Sequence, residues 1–410
     1  MAVEAWTGEG DGRGPPARPA VVRPGGDARP RLLFLVTEDW YFWSHRLPVA
    51  RAARDAGYEV VVATRVAEHG ERIRAEGFRL VPLAWDRGTR TPWAALAELS
   101  SVIRLYRQER PQLAHHVAIK PAVFGAVAAM ATGLPAMITT LAGRGFALSG
   151  SGPLPKAAGV AVRLVLRLAS LGRRSAVVVQ NPEDRAWLKA APAVPGVRLI
   201  AGSGVDLDRY VPLPEPDGPF TVAQVSRMLS LKGVEDAVSA VRRLRAEGLD
   251  IRLLLAGASD ADNPAAIPPG QLAAWAAEGG VEWLGPVADV RQVWARAHVA
   301  LLASRGGEGV PKTLLEAAAC GRAIVATYVA GTRDVARGGV NAVLVPPGDP
   351  AALAQALRLL ATEPGYRRRL AAASRRVVDP AFGDGHVAAR TLGLYSRLAG
   401  PSVTRMLAGR

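Results

Sequence analysis

With 410 residues, 49% hydrophobic and 21% charged, the chain is long enough for two ordinary domains and too apolar to be disordered. Its 51 Lys and Arg exceed its 36 Asp and Glu by 15, a balance that favours anionic partners such as phosphates, acidic lipid or nucleic acid. The single cysteine, Cys320, excludes an intrachain disulfide and a cysteine-based zinc cluster and suits a reducing cytoplasm.

Residues 1–30 are rich in Gly, Pro and Arg and hold no apolar run to serve as a signal-peptide core, so they read as a flexible basic tail. The run 31–37 (RLLFLVT) predicts a strand, the stretch ending near Gly57 a helix, and 59–64 (EVVVAT) a second strand. Alternation continues through strands at 78–82, 112–115, 136–140 and 176–180, with an amphipathic helix at 93–108. The uncharged run 121–143 has the length of a membrane span, but Gly133 and Pro135 divide it into a helix and a strand. Three prolines in VDLDRYVPLPEPDG mark a linker at 206–218. A second series then places strands at 220–226, 251–256, 281–284, 299–303, 323–327 and 342–345. Apolar strands separated by helices imply parallel sheets covered on both faces. The fold class is therefore α/β: two doubly wound Rossmann-like domains, 31–205 and 219–380, facing across a cleft with ligands at the carboxyl ends of the strands.

The densest chemistry lies in 304–321 (SRGGEGVPKTLLEAAACG), where a strand ends, a glycine-rich turn follows and a helix begins. Gly306, Gly307 and Gly309 permit close backbone approach, and the opening amides of the helix make a site for phosphate. Glu316, a turn into the helix, is placed to accept hydrogen bonds from ribose hydroxyls, and Glu308 on the turn from those of a donor sugar. Upstream, 225–233 (VSRMLSLKG) sets Arg227 and Lys232 in the loop after the first strand of the second domain, facing the same cleft. Two fixed cations there would stabilise a departing nucleoside diphosphate.

This constellation resembles the Glu-x7-Glu motif of family four of the retaining glycosyltransferases, which have the GT-B fold, and the match runs from Arg31 to about Leu398. The resemblance implies catalytic roles for Glu308, Arg227, Lys232 and His116, and donor contacts from Glu316, Gly309, Val310, Pro311 and Ser226. It implies a UDP- or GDP-sugar donor as substrate, no further cofactor, no essential metal, and a final helix within 381–410 packing back on the first domain. In HHVAIKP (115–121) the family presents a histidine and a lysine near the cleft; adjacent histidines on a strand cannot share an orientation, and His116 is taken over His115, with Lys120 nearby. TLAGRGF (140–146), QNPED (180–184) and GSGVD (202–206) match at the expected intervals. Tyr328, Ala342 and Arg144 replace the more usual Asp, Gly and Leu.

Two segments bear on the acceptor. DWYFWSHRLP (39–48) resembles the corresponding region of enzymes that build lipid-linked oligosaccharides and surface polysaccharides, and reads either as an acceptor surface or as a hydrophobic cap over the sheet. The stretch 156–174 interleaves Arg163, Arg167, Arg173 and Arg174 with aliphatic residues, either a basic amphipathic helix on anionic lipid or an ordinary surface helix. The expected reaction is transfer to a lipid-linked or saccharide acceptor at the inner face of the plasma membrane. A sugar-nucleotide epimerase on the same fold is the rival enzyme. Nucleic acid is not expected as a partner, because the basic residues are dispersed and carry no recognition motif.

Overall fold

The computed structural model describes residues 29–85, 91–145, 148, 152–260 and 263–408. The expected basic tail lies outside them, except for Arg29 and Pro30. In the first half β1 (Arg31–Glu38), β2 (Glu59–Arg65), β3 (Arg79–Pro82), β4 (Leu113–Val117), β5 (Ala136–Leu141), β6 (Arg174–Val179) and β7 (Val197–Leu199) form one parallel sheet in the order β3-β2-β1-β4-β5-β6-β7. The second half repeats the design with β8 (Phe220–Val225), β9 (Ile251–Ala256), β10 (Val281–Gly285), β11 (Val299–Leu302), β12 (Ala323–Thr327) and β13 (Ala342–Val345), ordered β10-β9-β8-β11-β12-β13. The expected doubly wound architecture is present twice. In each sheet the strand order reverses beside the first strand, so both crevices open at the carboxyl ends of β1 and β8.

The apolar runs explain the layering. Along β1, Leu32, Phe34 and Val36 pack on one side with Phe42, Val387 and Tyr395, while Leu33 and Leu35 pack on the other beneath the helices Pro92–Glu109, Ile119–Thr132 and Pro153–Ser170. Alternation of side chains across a strand requires such a double burial. The uncharged run at 121–143 is part of the helix Ile119–Thr132 followed by β5, and among the described residues no helix is long and apolar enough to cross a membrane.

Strand β7 escapes a reading from apolar runs because its three residues, VRL, include an exposed arginine. The aromatic segment after β1 is a short helix, Asp39–His45. Asp39 is fully buried and pins it: one carboxylate oxygen accepts from Trp40 N at 2.7 Å, the other from Ala67 N at 2.7 Å and His69 N at 2.8 Å in the loop after β2.

The chain crosses between the sheets twice. Near Val205 it passes to the second sheet, and after the helix Pro364–Val378 it returns as the helix Asp384–Ala408, broken at Gly400. Val205 N donates to the Phe382 carbonyl at 2.9 Å and Asp384 N to the Val205 carbonyl at 3.0 Å, so the crossings lie side by side.

Candidate active site

The loop from Ser304 to Pro311 follows β11 and meets the first domain. Ser304 is fully buried; its hydroxyl donates to Glu308 Oε1 at 2.7 Å, and Lys232 Nζ reaches the same oxygen at 2.5 Å. Gly233, at φ +65°, lets the Lys232 turn approach: a Cβ there would lie 2.0 Å from the Ala303 carbonyl oxygen. Lys232 and Glu308, assigned by resemblance to different ends of a donor, are thus paired with each other. Arg227, expected as the second of two fixed cations, is paired with Asp260 at 2.9 Å, a carboxylate 33 residues away in sequence. Ser226 hydroxyl donates to the Arg227 carbonyl at 3.1 Å.

Glu316 projects from the helix Lys312–Ala319, whose start, at Pro311, carries no side-chain cap. Burial raises the Glu316 carboxyl above its usual range, and Tyr210 Oη donates to Oε1 at 3.3 Å. Arg375 holds the turn carrying Tyr210 by donating to the carbonyls of Leu207, at 2.8 Å, and Tyr210. Tyr210 sits in a proline-rich linker that offered no sign of its proximity to Glu316.

The 304–311 loop is gripped from across the cleft. Gln180 Oε1 accepts from Val310 N at 3.0 Å, and Asn181 Nδ2 donates to the Glu308 carbonyl at 3.3 Å. At the start of the first-domain helix Pro182–Lys189, Arg144 pairs with Asp184 at 3.1 Å and Arg333 reaches Glu183 from the second domain. The Val310 amide, expected as a donor contact, is therefore engaged by Gln180. Gly309 has no room for a side chain, since a Cβ would stand 2.2 Å from Gln180 Oε1.

His116 does not join this cluster. It is fully buried, with Nε2 2.7 Å from Tyr106 Oη and Nδ1 3.2 Å from Thr139 Oγ1, and burial holds its imidazole down at about 3. The helix Ile119–Thr132 covers it so closely that a Cβ at Gly125 would meet the ring at 2.5 Å. His115 points to the opposite face and is equally buried, between Tyr395 Oη at 2.6 Å and Thr140 Oγ1 at 2.7 Å. Both lie inside the strand rather than at its end, and we leave His116 out of the site. Lys120 pairs with Glu98 at 2.9 Å, also within the first domain.

The histidine that does face the second domain is His45. Its ring stacks on Tyr41 at 4.1 Å with 4° between planes, and Nδ1 lies 2.5 Å from Ser44 Oγ. Lys312 Nζ donates across the cleft to the Ser44 carbonyl. Burial, then Lys312 and Arg46, push the His45 imidazole well below its ordinary range. Of the two readings of the aromatic segment, Phe42 fits the cap over the sheet, while Tyr41 and His45 stand where the charges of the second-domain residues Arg227 and Lys312 reach them.

Asp384, at the return crossing, has a carboxyl pushed up to about 6, chiefly by burial, with Oδ1 lacking a partner. An acid whose folded value lies above its unfolded value, about 4, destabilises the fold once ionised. Its contribution therefore lowers stability as pH rises from about 4 to about 6. Urea midpoints measured between those pH values are expected to show a flatter profile for Asp384→Asn than for the wild type; parallel profiles would refute the assignment.

Two parallel Rossmann-like sheets facing across a cleft, with an acidic and basic pair beside an uncapped helix start, define the GT-B class of glycosyltransferase folds. The model for glycosyl transferases group 1 matches residues 219–363, the model for glycosyl transferase 4-like domains matches 31–181, and the chain belongs to this family. It is 32% identical over 220 residues to the D-inositol 3-phosphate glycosyltransferase of Xylanimonas cellulosilytica, covering 48% of this chain and 51% of that one. The N,N'-diacetylbacillosaminyl-diphospho-undecaprenol alpha-1,3-N-acetylgalactosaminyltransferase of Campylobacter jejuni is 21% identical over 90% of this chain and 99% of its own. Anabaena Alr3699/HepE, solved in complex with UDP, shares the fold at a TM-score of 0.71 and 17% identity, covering 90% of this chain and 100% of that one. Relatives of 30–32% identity are matched over only 21% to 57% of their length.

Proposed function

We propose that this protein transfers a hexose or N-acetylhexosamine, with retention, from a UDP- or GDP-linked sugar to a lipid-linked saccharide at an anionic membrane face. The observation that carries the reading is the Lys232–Glu308 pair at 2.5 Å beside the uncapped start of the helix Lys312–Ala319. Donor binding would part that pair: the diphosphate takes Lys232, Arg227 and the helix amides, and sugar hydroxyls take Glu308. Glu316, released from Tyr210, would accept from the ribose. In the transfer, the bond from the anomeric carbon to the diphosphate oxygen breaks and the acceptor oxygen bonds on the same face. The acceptor's proton leaves on the departing phosphate. Charge building on that phosphate is met by groups already fixed in place.

The Campylobacter relative acts on a diphospho-undecaprenol saccharide, which supports a lipid-linked acceptor here. The helix Pro153–Ser170 supports the membrane reading: it buries Val162, Leu166 and Ala169 but exposes Val160, Leu164 and Leu168 in one line, flanked by exposed Lys156 and Arg167. Of the arginines read along this stretch, two also donate internally, Arg163 to the Ala191 carbonyl at 3.0 Å and Arg167 to the Ala193 carbonyl at 2.8 Å. Replacing Leu164 and Leu168 together by glutamate is expected to abolish sedimentation with vesicles rich in anionic phospholipid; unchanged sedimentation would dismiss this face.

The test of the reaction is incubation with a panel of radiolabelled sugar nucleotides and lipid extract. Label appearing in lipid only when extract is present supports transfer, whereas conversion of the donor without any acceptor would make the protein an epimerase.

A further inference from the structure

Behind the cleft wall made by Tyr41 and His45 lies a cation with no counter-ion. Arg46 is 3% exposed, and its Nε and Nη2 are buried with no hydrogen-bond partner. Other buried arginines each donate at least once: Arg322 to the Pro214 carbonyl at 2.6 Å, Arg163 to the Ala191 carbonyl at 3.0 Å and Arg367 to Glu215 at 2.8 Å, although Nε of Arg322 and of Arg163 has no partner. No carboxylate pairs with Arg46 among the described residues. The groups that feel its charge are Tyr41, His45, His115 and Tyr395, each driven by burial toward its neutral form. A guanidinium cannot shed its proton, and a buried charge without a partner is strongly destabilising.

The position and the free atoms indicate what is missing. Nε and Nη2 form the side-on fork of a guanidinium, the pair that grips two oxygens of one phosphate or carboxylate. Arg46 directly follows His45, whose neighbour Ser44 is held by Lys312, and the charges of Arg227 and Lys232 reach Tyr41 and His45, so the segment carrying Arg46 stands across the cleft from those cations. Those second-domain cations belong to the donor diphosphate in the reading above, on which this step rests. An oxyanion entering on the first-domain side is a separate charge.

We propose that Arg46, with the Tyr41 hydroxyl beside it, forms an anion subsite in the first domain that takes a phosphate or carboxylate carried by the acceptor. The ligand would be gripped side-on at Nε and Nη2, and the Tyr41–His45 plates would line its approach.

The test is calorimetric titration of the full chain, saturated with UDP, with inorganic pyrophosphate and separately with glucuronate. Wild-type protein is expected to bind one of them while UDP occupies the donor site; pyrophosphate would point to a phosphate-linked acceptor and glucuronate to an acidic sugar. Arg46→Met should weaken that binding roughly tenfold or more while UDP affinity and thermal midpoint are kept, because the change removes an unpartnered charge. Arg46→Lys, which keeps the charge but not the fork, should fall between. Three results would each overturn the subsite: no anion binding beside UDP, equal binding by Arg46→Met, or a lowered thermal midpoint marking Arg46 as a structural partner. Failure of wild-type protein to bind UDP at all would count instead against the sugar-transfer reading.

Discussion

Changing Lys232 to alanine is expected to cut sugar transfer by roughly 10²–10³-fold at saturating donor, the loss typical when one fixed group that meets developing charge is removed. The same change leaves Glu308, 11% exposed at its side chain, with only the Ser304 hydroxyl for company. An ionised carboxylate deprived of its partner in such a place destabilises by up to about 3 kcal/mol. The companion change Glu308→Gln removes that unpaired charge, so the double variant should recover most of the lost urea midpoint but none of the turnover. Such recovery of stability without activity is the mark of two groups that share an ion pair yet serve the reaction separately. Turnover by Lys232→Ala within about fivefold of wild type would remove the lysine from the mechanism.

A comparable loss is expected from one methyl group at Gly331. This residue sits at φ +79°, and a Cβ on it would lie 1.5 Å from the Gly309 carbonyl oxygen, between the Glu308 carbonyl and the Val310 amide that Asn181 and Gln180 hold from the first domain. Left-handed strain and overpacking each contribute about 1–3 kcal/mol. The donor loop must move away from Gln180 and Asn181, so Gly331→Ala should raise the KM for the sugar nucleotide roughly 10–100-fold. Gly339→Ala is the control: its φ is +74°, with nothing within 4 Å of an added Cβ. Equal effects from the two changes would show that backbone strain alone matters and that the loop's position does not.

The two sheets were legible because their strands are nearly unbroken aliphatic runs, as doubly covered parallel strands must be. Strand β7 was not, since a three-residue edge strand with a solvated arginine carries no such run. At the site, the Glu308 to Glu316 spacing and the lysine after β8 could be read from short-range pattern. What they touch could not: Asp260 reaches Arg227, Gln180 reaches Val310 and Tyr210 reaches Glu316 only through folding that brings distant segments together. The paired histidines mislead for a simple reason. Successive side chains on β4 go to opposite faces, and since helices cover both, each imidazole finds core hydroxyls rather than the cleft.

The side-by-side crossings at Val205 and Asp384 constrain how the halves can move. A single tether would permit swivelling in any direction; two tethers zipped by backbone hydrogen bonds act as a door hinge, with one axis and one arc. Severing the proline-rich stretch after Val205 would leave the halves joined through the second tether. An opening motion that admits the sugar nucleotide must therefore swing Lys232 and Glu308 away from Gln180 along a fixed path, and return them along the same one.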